Sequence, residues 1–253
     1  MSEKEKVKQQ FSKSKHHYIT STTHSNPVDL EELIQLINPE KHMVALDVAT
    51  GGGHMAKYLA NKVKTVIASD MTEAMLENTA NHLSDIKNIN YTIADAENLP
   101  FEDNSFDIIT CRYAAHHFPH PEQFIKESYR VLKQGGTCLI VDNVGHESQE
   151  YDTFINMLDK KRDPSHVRAL PINEWKEYLQ RIGFSIEREI ARKKRLPYKE
   201  WVTRTLDDKR EIEKVNQHIL QAPEQIKHHY EVLIDESEIQ SFSLDEWVVV
   251  CKK

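Results

Sequence analysis

A run of three consecutive glycines constrains this chain more than any other feature of its sequence. Gly51, Gly52 and Gly53 follow an apolar stretch, residues 43–48, whose only charged member is Asp47. Apolar residues then recur at helical spacing over residues 55–59. Glycine permits a sharp backbone turn and lets a ligand approach the backbone closely. The chain has only seven glycines in all, so this cluster predicts a strand, a tight ligand-facing turn and a helix.

Strands and helices alternate along residues 43–142. The predicted strands are continuous apolar runs, which is typical of a parallel sheet covered by helices on both faces. Right-handed crossovers between such strands predict an α/β fold with a doubly wound sheet. The predicted strands span residues 43–48, 65–69, 89–94, 106–111 and 137–141.

The remaining elements are less regular. The helix before the strand at residues 137–141 is predicted to end at Gly135 and Gly136. A further strand is predicted at residues 184–190. A closing strand is predicted at residues 242–251, either alone or as a hairpin with residues 239–241.

Three regions organise the chain. Residues 1–25 are predicted to be an N-terminal lid or tail, because residues 1–10 are polar whereas residues 11–18 contain an aromatic cluster that could dock over a ligand. Residues 26–145 form the ligand-binding α/β core. Residues 146–253 complete the sheet and carry a polar helical insertion, residues 198–229, which we predict to be a substrate cover or a dimer surface.

Composition excludes several classes of function. The formal net charge is −7 over 253 residues, so nucleic acid is not expected as the main partner. No apolar run is long enough to span a bilayer, and no membrane partner is expected. The lysine-rich N-terminus lacks the apolar centre of a secretion signal. Three scattered cysteines, Cys111, Cys138 and Cys251, are typical of a reducing cytoplasm, and we predict a cytoplasmic protein.

Polar residues mark the ends of the predicted strands. Ligands of doubly wound sheets bind outside the carboxyl ends of the strands, and five polar groups lie at that edge: Asp47, Asp70, Asp95, Arg112 and Asp142. An acid at the end of the second strand suits ribose hydroxyls, so the cofactor is predicted to contain adenosine. The spacing of Gly51, Gly53 and Ala56 also fits a dinucleotide pattern. Asp47, however, would repel a pyrophosphate and attract a cationic amine.

Four motifs together resemble the class I S-adenosylmethionine-dependent methyltransferases, and within them the group that includes the ubiquinone/menaquinone biosynthesis methyltransferases. They span about residues 40–145, in the family's order and spacing. The motifs are LDVATGGG at residues 46–53, SDMT at 69–72, DAENLPF at 95–101 followed by SFD at 105–107, and RVLKQGG at 130–136. The resemblance implies seven strands, mostly parallel, with the last strand antiparallel.

The resemblance also implies roles for individual residues. Asp47, Gly51 and Gly53 would hold the methionine part of S-adenosylmethionine, together with Ala49, where the family usually has glycine. A methyl group at that position tightens the turn. The remaining implied contacts are Asp70 to the ribose hydroxyls, Met71 to the adenine face, Asp95 and Ala96 to the adenine edge, and Arg112 beside the sulfonium and the substrate.

A methyl transfer to a hydroxyl, amine or activated carbon requires the loss of a proton, so a general base is expected. His116, His117 and Arg112 are the predicted catalytic residues. A histidine here could instead cap a helix or fix a loop. A metal site using both histidines and His120 lacks a fourth ligand, and no metal is predicted. Cys111 is expected to be buried rather than nucleophilic.

Two polar segments beyond this region have open interpretations. Residues 192–195, a basic run, are predicted to be a solvated strand end, with attraction of an anionic substrate group as the alternative. Asp142 and His146 either line the acceptor pocket or, in the case of Asp142, cap a helix.

The predicted function is transfer of a methyl group from S-adenosyl-L-methionine to a small-molecule acceptor, most simply at carbon or oxygen, with release of S-adenosyl-L-homocysteine. One alternative is an NAD(P)-dependent oxidoreductase. Asp47 argues against it, and so does the lack of a second nucleotide-binding half in the sequence. Another is a non-catalytic protein that binds an adenosine ligand. A homodimer is possible, and the acceptor is not specified by the sequence.

Overall fold

The computed structural model describes the backbone of residues 2–20 and 25–253, and the side chains of residues 2–12 and 25–253. The predicted aromatic cluster of residues 11–18 therefore lies mostly outside the described side chains.

Helices and strands alternate over the predicted range, residues 43–142, except that the third strand is followed directly by the fourth. The helices are α1 (Glu3–Thr20), α2 (Pro27–Ile37), α3 (His54–Ala60), α4 (Glu73–His82), α5 (Pro121–Val131), α6 (Gln149–Arg162), α7 (Ile172–Ile182), α8 (Tyr198–Thr203), α9 (Lys209–Leu220) and α10 (Glu224–His229). The strands are β1 (Val44–Val48), β2 (Thr65–Asp70), β3 (Ile89–Ile93), β4 (Phe106–Arg112), β5 (Leu132–Asn143), β6 (Ser185–Pro197), β7 (Leu233–Asp235) and β8 (Glu238–Lys252).

One mostly parallel sheet joins the strands in the order β3-β2-β1-β4-β5-β8-β6. The pairs among β1 to β5 are parallel, whereas β8 runs antiparallel to both β5 and β6. The order reverses between β1 and β4, and a crevice for a ligand forms at such a switch point. The doubly wound α/β fold with an antiparallel last strand is therefore confirmed.

The structure differs from the sequence prediction at two element boundaries. The described sheet has an eighth strand, because three residues of β7 pair with β8. The predicted hairpin partner, residues 239–241, is wrong, since those residues belong to β8 itself. Helix α5 ends at Val131 rather than at the two glycines, because Leu132 already pairs with Phe106 in the sheet. Gly135, at φ 75°, instead lies in an irregular part of β5.

The core explains why the strands are apolar on both sides. Neighbouring residues of β4 point to opposite faces, so Ile108 packs with α2 and α3 residues such as Leu33 and Leu59, while Ile109 packs with Phe124 and Trp175. A third cluster, formed largely by α6, α8, α9 and α10 against the ends of β6 and β8, constitutes the helical insertion. This insertion lies beyond the carboxyl ends of the central strands.

The N-terminal segment, predicted to be a lid or tail, contains helix α1. In α1, Val7 is buried and the Lys4 ammonium lies 2.6 Å from a carboxylate oxygen of Asp95. These contacts hold the start of α1 against the core. No described helix combines the length and the apolar composition needed to cross a bilayer.

Arg130, in the fourth sequence motif, ties α5 to the loop after β3. Its guanidinium donates hydrogen bonds to the carbonyls of Leu99 (2.9 Å) and Phe101 (2.7 Å) and to the carboxylates of Glu127 (2.7 Å) and Asp103 (2.9 Å). Bidentate, charge-assisted bonds of this kind are stronger than neutral ones. This residue therefore has a structural role.

We expect Arg130→Met to lower the free energy of unfolding by about 2–3 kcal/mol, because it leaves carbonyls and a carboxylate without their donor. Urea denaturation measures the change. The matched control is Lys126→Met, which removes an exposed i,i+4 ion pair with Glu122 and should cost less than about 0.5 kcal/mol. Equal effects of the two substitutions would contradict the structural role of Arg130.

Candidate active site

A cavity of about 970 Å³ opens at the carboxyl ends of the central strands. Most of the predicted cofactor residues line it together: Asp47, Ala49, Gly51, Asp70, Met71, Asp95, Ala96 and Arg112. His117 lines it as well, and Val7 and Phe11 of α1 form part of its wall. Gly53 and His116 are not among its lining residues.

The glycine turn adopts the left-handed conformation that its sequence predicts. Gly51 has φ 53° and Gly53 has φ 75°. A Cβ atom on Gly53 would lie 2.5 Å from Cγ2 of Thr79, so this glycine is needed for packing between the turn and α4. Ala49 also has a positive φ, 52°, which is strained for a residue with a Cβ atom.

Asp47 lies at the centre of the site. It is 2% exposed, and its two carboxylate oxygens accept hydrogen bonds from the hydroxyls of Thr50 and Thr110, each at 2.6 Å. Burial raises the pKa of Asp47 to about 6, and the two hydroxyls and the nearby Arg112 oppose the rise. The carboxylate is therefore ionised at neutral pH, and little water surrounds it.

Asp70 joins the second strand to the glycine turn. One carboxylate oxygen accepts from the backbone N–H of Gly51 (3.2 Å) and the other from that of Thr72 (2.9 Å). Burial raises the pKa of Asp70, and these backbone donors oppose it. The predicted ribose-binding acid thus also supports the turn. Met71, its neighbour, lines the cavity as predicted.

A lysine from α1 reaches the acids after β3. The ammonium of Lys4 lies 2.6 Å from Asp95 and 2.6 Å from Glu97. Glu97 is buried and also accepts a hydrogen bond from the His120 backbone N–H at 2.6 Å. Neither Lys4 nor Glu97 was predicted as a site residue. The third motif contains Glu97, and this second acid close to Asp95 could have identified it as a site residue.

Arg112 borders the cavity, but its guanidinium binds a carboxylate of α2. The distance from Arg112 Nη2 to Asp29 is 2.9 Å. Asp29 also forms an ion pair with Arg192 of β6, and Arg192 binds Glu246 of β8 at 2.5 Å. Arg112 is therefore part of a network that joins four elements, β4, α2, β6 and β8, in addition to lining the cavity.

His116 is held by an acid. Its Nδ1 lies 2.6 Å from Asp142, which also accepts from the backbone N–H of His116 at 3.0 Å. The carboxylate raises the pKa of His116 against the opposing effect of burial. Asp142 thus supports the short 3₁₀ turn (Ala115–His117) rather than a long helix. His146 packs against Tyr151 and is not a lining residue of the cavity.

His117 is connected to a buried hydroxyl and a second acid. The Ser165 hydroxyl donates to Asp163 at 2.5 Å and lies 3.2 Å from Nδ1 of His117. Since the hydroxyl has only one proton, Nδ1 must be the donor to Ser165, which leaves Nε2 as an acceptor. Burial and the nearby His116 lower the pKa of His117 to about 4, so its ring is neutral near pH 7. Asp163 and Ser165 lie too far along the chain for sequence analysis to have linked them to His117.

The structure shows no metal centre at the histidines. Among residues 2–12 and 25–253, no group of three or more His, Cys, Asp or Glu side chains is arranged to hold a metal ion. Cys111 is buried as predicted, and burial raises the pKa of its thiol well above the usual value, which disfavours the thiolate.

Comparison with known proteins places these features in a family. A family model described as a methyltransferase domain matches residues 46–140. YcgJ of Bacillus subtilis (strain 168), an uncharacterized methyltransferase, is 38% identical over 167 residues, which cover 65% of this chain and 66% of YcgJ. The ubiquinone/menaquinone biosynthesis C-methyltransferase UbiE of Rickettsia prowazekii (strain Madrid E) is 40% identical over 120 residues, or 43% of this chain and 48% of UbiE.

Solved structures extend the similarity over nearly the whole fold. A crystal structure from Bacillus halodurans C-125, provisionally assigned as a methyltransferase, superposes with a TM-score of 0.86 at 35% identity and covers 89% of this chain and 99% of its own. The chain belongs to the class I S-adenosylmethionine-dependent methyltransferases, as its motifs predicted. It spans about two thirds of the length of YcgJ and about half that of UbiE.

We expect Ala49→Gly to raise the free energy of unfolding by about 0.5 kcal/mol, because relief of about 1–2 kcal/mol of left-handed strain exceeds the added entropy of the unfolded chain. The control Ala56→Gly, in the first turn of α3, should instead lower it by about 0.5–1 kcal/mol. Thermal and urea denaturation measure both changes. Loss of stability in Ala49→Gly would show that the alanine is not strained.

Proposed function

We propose that this protein binds S-adenosyl-L-methionine in the 970 Å³ cavity and transfers its methyl group to the carbon or oxygen of a small-molecule acceptor. The observation that supports this most is the buried Asp47 carboxylate beside the glycine turn. Both of its oxygens already accept hydroxyl hydrogen bonds, and a further cation would stabilise its charge. An α-amino group supplies that cation, whereas a pyrophosphate would be repelled.

The residues around the cavity fit one adenosine. Asp70 would accept from the ribose hydroxyls, and Met71 and Ala96 provide apolar contact for the adenine. Asp95 would face the adenine edge, where the Lys4 ammonium now binds it. Family membership favours a methyltransferase over the NAD(P)-dependent alternative.

The bound cofactor supplies an electrophilic methyl group, and the protein must align the acceptor and remove its proton. We propose His117 as the general base. Its Nε2 is unprotonated, and Asp163 can stabilise the protonated ring through Ser165. Because the pKa of His117 is about 4, this arrangement suits an acceptor that is itself acidic. Arg112 and His116 would position the surrounding loop through Asp29 and Asp142.

Helix α1 is proposed to be the lid of the site. Lys4 contacts the acids of the adenine edge, and Phe11 packs edge-on against His117 with ring centroids 5.0 Å apart. Entry of the cofactor would require α1 to move. Composition supports the further proposal of a cytoplasmic protein without nucleic-acid or membrane partners. A homodimer is also proposed, with the helical insertion as its surface.

The proposed function is tested by calorimetric titration with S-adenosyl-L-homocysteine and, separately, with NADH. Saturable binding of the former alone is expected. Asp70→Asn and Asp95→Asn should each weaken it by roughly tenfold or more, because each replaces a charged acceptor, and circular dichroism should show an intact fold. Unchanged affinity in both variants, or preferential binding of NADH, would refute the proposal.

The Asp47 contact predicts a pH dependence. Its carboxylate takes up a proton as pH falls through about 6, and the protonated form cannot pair with an ammonium group. Affinity for S-adenosyl-L-homocysteine should therefore weaken below pH 6, by up to roughly tenfold per pH unit. Asp47→Asn should bind more weakly at pH 8 and lose this pH dependence. If the affinity of Asp47→Asn depended on pH as steeply as that of the wild type, the pH dependence would belong to another group.

The general base is tested with an acceptor identified by release of S-adenosyl-L-homocysteine from a panel. His117→Ala should lower kcat on the order of 100-fold and change cofactor affinity little. His120→Ala, three residues along the chain, is the control and should retain turnover. If His117→Ala turned over at the wild-type rate, histidine would have no part in the proton transfer. If no acceptor in a broad panel released product, a non-catalytic ligand-binding role would be favoured.

A further inference from the structure

A second cavity adjoins the first one. It has a volume of about 460 Å³ and shares two lining residues, Tyr113 and His117, with the cofactor cavity. The remaining walls come from the 3₁₀ turn, the end of β5, β6, β8 and the helical insertion. The proposed general base therefore stands between the two cavities, where a methyl acceptor would meet the cofactor.

The second cavity is basic, although the chain as a whole is acidic. Its lining includes Arg162, Lys194 and Arg204 but only one acid, Asp163, among the described residues. The chain has a net charge of −7, so the group of basic side chains at this cavity is opposite in sign to the charge of the whole chain. Basic groups around a cavity attract and hold anions.

Lys194, one of these cations, is largely enclosed. Its side chain is 15% exposed, and its ammonium lies 3.2 Å from the centroid of the Tyr113 ring and 3.5 Å from Glu246. Burial lowers the pKa of Lys194 to about 7, assisted by Arg112 and opposed by Glu246. Retaining a lysine in such a place is costly unless a further anion stabilises its charged form.

Arg162 presents a guanidinium next to an aromatic wall. Its Nε donates to the carbonyl of Trp201 at 3.1 Å, and the guanidinium carbon lies 4.8 Å from the Trp201 ring centroid. Among the described residues its terminal nitrogens make no further hydrogen bond. Two such N–H donors match the two oxygens of a carboxylate.

Apolar side chains form part of the remaining wall. Leu196, Trp201 and Leu244 line the cavity and are each at most 3% exposed. The body of a ligand here would therefore contact aliphatic and aromatic groups, while its charge would be held by the basic residues. Such a division of polarity is typical of sites for small organic molecules.

We propose that this second cavity is the acceptor subsite and that it takes a small organic acid, whose carboxylate binds Lys194 and Arg162 and whose reactive atom faces His117. This inference rests on the proposed methyl-transfer function and specifies its acceptor class.

The sequence predicted that residues 192–195 form a solvated strand end, with attraction of an anionic substrate group as the alternative. In the structure the members of this run differ in position. Lys194 lines the internal cavity, whereas Lys193 forms an ion pair with Asp245 and does not line that cavity.

A surface groove of about 740 Å³ provides a route to the subsite. Its lining includes the basic run of residues 192–195 together with two acids, Asp29 and Glu246, which pair with Arg192. It shares Tyr113 and Lys194 with the internal cavity. Basic residues along an entrance raise the local concentration of an anionic ligand. Lys194 therefore stands at the inner end of a basic path from the surface.

The test measures binding of benzoate and of its neutral isostere benzamide to the protein saturated with S-adenosyl-L-homocysteine, by calorimetry. Saturable binding of benzoate is expected, roughly tenfold or more tighter than that of benzamide. Lys194→Met and Arg162→Met should each weaken benzoate binding by roughly tenfold or more. Lys194→Arg should restore much of it. Lys199→Met, at an exposed lysine of α8 that lines neither the cavity nor the groove, is the control and should have no effect.

The two proposals fail in different ways. Unchanged binding of S-adenosyl-L-homocysteine in the Lys194 and Arg162 variants shows that their cofactor cavity is intact, so a loss of benzoate binding then supports the subsite. Equal binding of benzoate and benzamide, no saturable benzoate binding, or wild-type benzoate affinity in both Met variants would overturn it. Preference for inorganic phosphate over benzoate would overturn the assignment to carboxylates. Failure of S-adenosyl-L-homocysteine itself to bind would instead refute the proposed function.

Discussion

The buried carboxylate of Asp47 is the interaction on which the site depends. It lies at the end of β1, the strand beside the switch in sheet order, and it accepts hydroxyl hydrogen bonds from the glycine turn and from β4. A charge in this position is costly to bury, and its pKa near 6 reflects that cost. The turn and the neighbouring strand reduce this cost, and the amino group of the proposed cofactor would reduce it further, which would connect the local fold to the choice of cofactor.

Other acids at the carboxyl edge of the sheet also have hydrogen-bond or ion-pair partners within the protein. Asp70 accepts two backbone N–H groups and so fixes the turn relative to β2. Asp95 and Glu97 bind Lys4 of α1, and Asp142 holds His116. Each acid thus has a structural partner in addition to any ligand. The helical insertion then encloses a second cavity whose basic lining complements this acidic rim.

Local patterns in the sequence were sufficient to predict the sheet and the convergence of acids at its carboxyl edge. Apolar runs and a glycine turn specify β1 and α3, and acids directly after strands converge because parallel strands end at one edge. The ends of helices and strands were less predictable where strand pairing overrides the local sequence preference. Leu132 pairs with Phe106 in the sheet, although the sequence predicted that the helix continues to Gly135. Gly53 was predicted to contact the ligand, and the structure adds a second reason for glycine there, because a Cβ atom would clash with Thr79 of α4.

Contacts between distant segments could not be predicted. Lys4 reaches Asp95, Ser165 connects His117 to Asp163, and Lys194 turns inward from a basic run that looked solvated. Each depends on how α1, the loop after α6 or β6 packs against the core. The most direct test of the account is a crystal structure with S-adenosyl-L-homocysteine bound. The account predicts the amino group of the ligand beside the Asp47 carboxylate and its ribose at Asp70; a ligand bound elsewhere, or with its amino group away from Asp47, would contradict it.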